Sequence, residues 1–272
     1  MVGMSAMRAS VHLDHIAIAA ERASDLWPRY AGDLAGEWGG GAPDAGFWFF
    51  HLHYGRRRVE VLEPYEVERS DFLRRFLDHR GPGAHHITYK VDDIHRILGE
   101  LEAGGYRPVS VDLSDPAWLE AFVHPKDAPG IVVQVAQASG GGPSGPAPDQ
   151  LPPPPLDRPA DLVRIAHAVP SIDDASRLFV GVLAGTEAGR GVGDDHRWVD
   201  LAWEGGDIRL LEPSGPDSPL ARWIGDATGR LHHLAFAVDE PASVRDAVAI
   251  GDGVWEVAPE TNHGVRLRLR AR

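Results

Sequence analysis

Val59-Glu60-Val61-Leu62-Glu63-Pro64 returns 149 residues later as Ile208-Arg209-Leu210-Leu211-Glu212-Pro213, and His85-His86-Ile87 returns after 147 residues as His232-His233-Leu234. Phe72-Leu73 with Phe76-Leu77 is matched by the apolar text of Leu220 to Ile224. Separate matches at nearly one offset mark a duplicated chain. Between the copies, residues 138–160 read, from Ser139, SGGGPSGPAPDQLPPPPLDRPA, with few large apolar side chains and many residues unsuited to helix or sheet. The expected organisation is a first domain over 1–137, a Pro/Gly-rich linker over 138–160 and a second domain over 161–272.

Within the first copy the periodicities run strand, helix, strands, and then begin again. Val11 to Ala19 is an apolar strand, Ala23 to Leu34 an amphipathic helix, and Phe47 to Tyr54 and Arg57 to Leu62 are strands joined at Gly55-Arg56. Ala84 to Val91 restarts the cycle. Asp92-Asp93 then caps a helix running to Ala103 and ending at Gly104-Gly105, with strands near Val109, Ala121 and Ile131 to Ala136. The fold class is α+β, each copy a pair of βαβββ units forming a curved, cup-like mixed sheet. The second copy is short near its end and is expected to lack one strand between Val254 and Val265.

The bulk numbers set bounds on partners and chemistry. A chain of 272 residues, 43% hydrophobic and 25% charged, buries a sizeable core. No apolar run approaches the ~20 residues that span a bilayer, and Met1 to Ser10 lacks the apolar stretch of a secretory signal, so the expectation is a cytoplasmic protein with no membrane partner. With no cysteine, disulfides, thiolate ligands and a cysteine nucleophile are excluded. A net charge of −13 argues against nucleic acid. A homodimer is compatible with all of this.

Leu13-Asp14-His15-Ile16-Ala17, Val59 to Pro64, Gly81-Pro82-Gly83-Ala84-His85-His86-Ile87, Val91-Asp92-Asp93-Ile94 and His124-Pro125-Lys126-Asp127 occur in that order. With Gly130 to Val135 they resemble methylmalonyl-CoA epimerase over residues 11–137, and so the vicinal oxygen chelate superfamily that also contains glyoxalase I, bleomycin-resistance proteins and extradiol dioxygenases. The resemblance implies tandem modules of that fold and makes His15, Glu60, His86 and Gln134 the ligands of a divalent metal, whether Co, Mn, Ni, Zn, Fe or Mg. Relatives of the epimerase carry glutamate where this chain has Gln134. Glu60 still supplies one carboxylate, and two imidazoles, a carboxylate, an amide oxygen and water make a workable octahedral set. His85 alternates to the other face of its strand, so packing or a hydrogen bond is its expected role.

A two-residue turn at Gly55-Arg56 pairs Tyr54 with Arg57 and, counting outward, sets His51 opposite Glu60. The same counting would place the epimerase's catalytic glutamate there, which makes His51 the candidate general base. Phe47, Phe49 and His53 share its strand face and are candidates for the substrate pocket. Arg56, Arg57 and Arg58 at the hairpin could meet a coenzyme A phosphate, although a charged hairpin end is usually only solvated.

At the equivalents of His15, Glu60 and Gln134 the second copy has Arg164, Arg209 and Arg268, and of the ligand set only His233 survives. Arginine offers a metal no lone pair, so this cup is expected to be metal-free. Its arginines could hold an anion, with Asp200 at the place of His51 as counterion, or could be salt-bridged residues of a degenerate scaffold. Two function classes stay open. One is a metal-dependent isomerase, epimerase or lyase acting through an enolate on a small carbonyl or acyl-CoA substrate. The alternative is a metal-free, resistance-type small-molecule binding protein. A ring-cleaving dioxygenase ranks lower, because its resemblance calls for a carboxylate at position 134.

Overall fold

The structure is a computed structural model that describes residues 10–272 except 141, 143 and 154–157. In the first half β1 (Val11–Ala19), β2 (Glu37–Asp44), β3 (Phe47–Tyr54) and β4 (Arg57–Pro64) form one unit. After helix α1 (Phe72–Arg80) come β5 (Gly83–Val91), helix α2 (Ile94–Ala103), β6 (Pro108–Asp112), β7 (Trp118–Val123) and β8 (Val132–Ala138). The eight strands make one mixed sheet in the order β2-β3-β4-β1-β5-β8-β7-β6. β1 and β5 meet antiparallel at its centre, and each runs parallel to the last strand of its own unit.

The second half repeats the plan with β9 (Asp161–Ala168), α3 (Ile172–Ser176), β10 (Thr186–Val192), β11 (His196–Trp203), β12 (Gly206–Pro213) and α4 (Pro219–Ile224). β13 (Arg230–Val238), β14 (Val248–Gly251), β15 (Val254–Val257) and β16 (Leu267–Ala271) complete it, in the order β10-β11-β12-β9-β13-β16-β15-β14. This corrects one expectation. No strand is missing between Val254 and Val265: β15 lies at Val254–Val257, paired with β14 on one side and β16 on the other, so this half also has eight strands. What shortens the copy is the segment 239–247, which carries a three-residue 3-10 turn at Pro241–Ser243 where residues 92–107 of the first half hold α2.

Alternation along the strands separates two faces. Ile16, Ile18, Leu52, Val59, Val61, Ile87, Val133 and Val135 face a core that runs without interruption into the second half. In it Tyr54 packs on Phe236, and Tyr89 on Phe179 and Trp203. His15, Glu60, His86, Thr88 and Gln134 take the intervening positions and face the cup. The halves also touch through backbone. Leu13 N–H donates to the Glu204 carbonyl, His167 bonds the Pro129 carbonyl, and a Cβ added to Gly130, at φ +78°, would lie 1.9 Å from the Gly229 carbonyl oxygen.

The stretch Ala23 to Leu34, expected as a regular helix, is a 3-10 turn (Ala23–Asp25) followed by a wide π-helical segment (Pro28–Asp33). Pro28 could be held responsible, since it interrupts helical bonding. The same wide turn recurs at Arg177–Val182, which contains no proline, so it belongs to the fold. β2 was not legible either: its Gly39-Gly40-Gly41 and Pro43 weaken any strand pattern.

Candidate metal centre

The hairpin of β3 and β4 turns at Gly55-Arg56, pairs Tyr54 with Arg57 and sets His51 opposite Glu60. On the other side of Glu60, Ala17 of β1 is the register partner of both Glu60 and His86. An alanine at the floor leaves room between the two flanking side chains. The result is that donor atoms of His15, Glu60 and His86 lie within 4.8 Å of one another, and all three residues are buried. Glu60 Oε2 is 3.4 Å from Nε2 of both His15 and His86. Its Oε1 is 3.1 Å from His51 Nε2.

Each candidate ligand imidazole is oriented from behind, and in both cases by the residue just before it in sequence. Strict alternation would put Asp14 and His85 on the far face, but the β1/β5 ladder has bulges between Leu13 and His15 and again beside Ala17. A bulge re-aims a side chain. Asp14 Oδ2 accepts from His15 Nδ1 at 2.8 Å, and Arg58 and Lys90 flank the same carboxylate. His85 Nδ1 lies 2.8 Å from His86 Nδ1. That bond occupies the back of the His86 ring, and its Nε2 is buried with no hydrogen-bond partner among the described residues. His85 itself packs against Phe72 and Phe76 of α1.

Gln134 completes the set through Thr88. The Thr88 hydroxyl donates to Gln134 Oε1 at 2.5 Å and lies 2.8 Å from His15 Nε2. Behind it, Gln134 Nε2 donates to Glu120 Oε2 at 2.7 Å, and the Trp118 indole donates to the same oxygen. A carboxylate accepts and cannot donate, so Glu120 fixes the amide with its nitrogen outward and its oxygen inward.

The charges follow from these contacts. Burial alone would lower His15, but the facing Glu60 and the hydrogen-bonded Asp14 outweigh it and hold the imidazole up at about 9. Burial likewise works to raise Glu60, yet the neighbouring histidines keep it well below the usual carboxylate range. His86, His85 and His51 are all pushed down by burial and are neutral rings, His85 at about 4. Burial raises Glu120.

The donor set fits a divalent metal: two imidazoles, a carboxylate and an inward amide oxygen, with one buried imidazole nitrogen that makes no hydrogen bond among the described residues. A ligand imidazole must be neutral, so an ion bound through His15 Nε2 would displace the proton that Glu60 and Thr88 now share with it.

Of the remaining candidates, Phe47 and Phe49 lie on the cup face beside Leu62, Leu73 and Leu77, where α1 closes that end. The Phe49 ring is 5.7 Å from His51. His53, half-buried, sits opposite Arg58 and over Gly39, one pleat away from Glu60. Arg57 and Arg58 are tied to Asp207 and Asp14, while Arg56 is exposed and has no ion pair among the described residues. In the second cup, Arg164 and Arg209 meet on Asp200, and Arg268 pairs with Glu256. Sequence reasoning missed Asp14, Thr88 and Glu120. Alternation from His86 could have found Thr88; nothing in the residue pattern announces the bulge at Asp14.

Residues 14–122 match the family model of the Glyoxalase/Bleomycin resistance protein/Dioxygenase superfamily. The mitochondrial methylmalonyl-CoA epimerase of Homo sapiens is 29% identical over 132 residues, which covers 46% of this chain and 73% of that protein. The ethylmalonyl-CoA/methylmalonyl-CoA epimerase of Cereibacter sphaeroides is 28% identical over 131 residues, covering 46% and 96%. Over nearly the whole chain (96%), a hypothetical protein from Staphylococcus aureus has the same fold, with a TM-score of 0.58 and 10% identity across all of that chain. The first half of this chain is a domain of the glyoxalase/bleomycin resistance protein/dioxygenase superfamily, and its curated relatives are methylmalonyl-CoA epimerases.

Proposed function

We propose that the first half is a metal-dependent isomerase, epimerase or lyase that moves a proton at the carbon beside the carbonyl of a small carbonyl or acyl-CoA substrate. The observation that carries this is the convergence of His15, Glu60 and His86 with the inward oxygen of Gln134, and with neutral His51 across from Glu60. A divalent ion held there would act as a Lewis acid on the substrate's carbonyl oxygen and so acidify the adjacent C–H.

The protein's own groups supply the rest. His51 donates Nε2–H to Glu60 Oε1, which leaves Nδ1, buried and unpartnered, as the ring's acceptor. The neutral ring can therefore take a substrate proton and return it. Phe49 lies against His51, with Phe47 packed behind it on Phe72 of α1, so that side of the base is apolar. With His51 as the base and the amide of Gln134 at the family's second carboxylate position, a one-base isomerisation or a lyase step suits the site as well as an epimerisation.

Solvent deuterium exchange into an acyl-CoA or α-hydroxycarbonyl panel tests the reading. Wild type should wash label into the carbon beside the carbonyl of a substrate, and His51→Ala should do so about 10²- to 10⁴-fold more slowly with metal content unchanged. Undiminished exchange in a metal-loaded His51→Ala protein would reduce His51 to a wall of the pocket and favour a binding protein.

A further inference from the structure

The cup of the second half keeps the geometry of the first and reverses its charge. β13 carries the same pair of bulges against β9, and His232 Nδ1 meets His233 Nδ1 at 2.7 Å as His85 meets His86. Ala166 is the register partner of both Arg209 and His233, as Ala17 is of Glu60 and His86. Arg268 pairs in register with Ala235 and Glu256, and Arg266 lies two residues back on the same face.

Four guanidinium groups thus share one concave face with two carboxylates. Asp200 takes a two-pronged contact from Arg209, at 2.7 Å on each oxygen, and a third from Arg164 at 3.1 Å. Glu256 is held more loosely, with Arg266 and Arg268 each at 3.4 Å. Asp207, the other acid near Arg164, is engaged by Arg57. Within this group two positive charges remain in excess.

The cluster is also braced and open to a ligand. The Arg209 guanidinium stacks at 3.8 Å over the Trp198 ring, which fixes its plane. Arg164 Nε is buried and has no hydrogen-bond partner among the described residues, while Arg266 Nε reaches only the distant Glu256 oxygen and its Nη1 lies 3.3 Å from His232 Nε2. The four side chains are a quarter to a third exposed, so the cup is reachable. His233 lies among Arg209, Arg266 and Arg268, and their charge together with burial keeps it neutral. A degenerate scaffold has no reason to gather like charges, whereas planar forks with unsatisfied N–H groups match an oxyanion.

We propose that the concave face of the second sheet binds a small dianionic oxyanion, a phosphate monoester or a dicarboxylate, between Arg164 and Arg209 on one side and Arg266 and Arg268 on the other. This site does not depend on the chemistry of the first cup.

Calorimetric titration of the full chain at fixed ionic strength tests it, with inorganic phosphate and malonate in separate arms, chloride as the monovalent control, and any metal removed beforehand with the uncharged chelator 1,10-phenanthroline and gel filtration. Saturable binding of one dianion per chain is expected, and the tighter arm identifies the ligand class. Arg268→Gln should weaken binding at least tenfold, while Glu256→Gln, which frees two guanidinium groups and removes a negative charge, should tighten it. The opposite signs separate the site from general damage to the fold. No saturable binding in either arm, or affinities indifferent to both substitutions, would leave the arginines as internal salt bridges and overturn the proposal.

Discussion

At the scale of the residue, Glu60 is the hinge of the first cup. It touches His15, His51 and His86 and is the anionic member of the proposed ligand set. Gln134 would contribute a neutral oxygen, one that already accepts from the Thr88 hydroxyl. Removing a charged donor from a buried site should cost far more than removing a shared neutral one. Glu60→Gln is therefore expected to lower metal affinity much more than Gln134→Ala, measured by competition with a chelating indicator. Equal losses would mean that the ligand register is wrong. Arg164, Arg209 and Arg268 make the converse point: at the equivalent strand positions of the second cup these side chains offer a cation no lone pair.

At the scale of the element, strand register made much of the site legible in advance. The repeat located both copies, and one turn at Gly55-Arg56 was enough to set His51 against Glu60, because side chains alternate and the pairing is antiparallel. What stayed hidden were departures from alternation. Bulges brought Asp14 and His85 behind His15 and His86, and the wide turn at Pro28–Asp33 has no periodicity that a regular helix would give. The short second copy misled in another way: a missing α2 counterpart leaves the same deficit in length as a missing strand, and only pairing tells them apart.

The neighbouring strand β7 carries a testable consequence. Glu120 orients the Gln134 amide, so Glu120→Ala should cost about 10- to 100-fold in metal affinity, the usual weight of an outer partner, whereas Glu120→Gln keeps an acceptor and should retain most of it. If Glu120→Ala binds metal as wild type does, Gln134 is not a ligand.

At the scale of the whole molecule, the two sheets share one hydrophobic core, so the second half supports the first whatever else it binds. His167, at the place of Ile18, is fully buried at this junction and bonds the Pro129 carbonyl. Burial holds its imidazole down at about 4, while an unfolded histidine titrates near 6.5. Between those values the unfolded chain takes up a proton that the folded chain does not. Stability should therefore fall as pH drops from 6.5 towards 4, by about 3 kcal/mol from this residue. His167→Ile is expected to lose about 1 kcal/mol at pH 7 with the hydrogen bond, yet to reduce the drop between pH 7 and 4.5 by about 2 kcal/mol in denaturant titrations. An unchanged pH slope would place the acid sensitivity elsewhere. Among the described residues no helix is long and apolar enough to cross a membrane.

The central claim is that one cup holds a divalent metal and the other does not, and elemental analysis of the purified protein tests it most directly. The account predicts about one divalent ion per chain in wild type and in His233→Ala, and none in the His15→Ala, His86→Ala double variant that still folds by circular dichroism. A metal-free wild type after incubation with divalent ions, or equal loss of metal in His233→Ala, would contradict it.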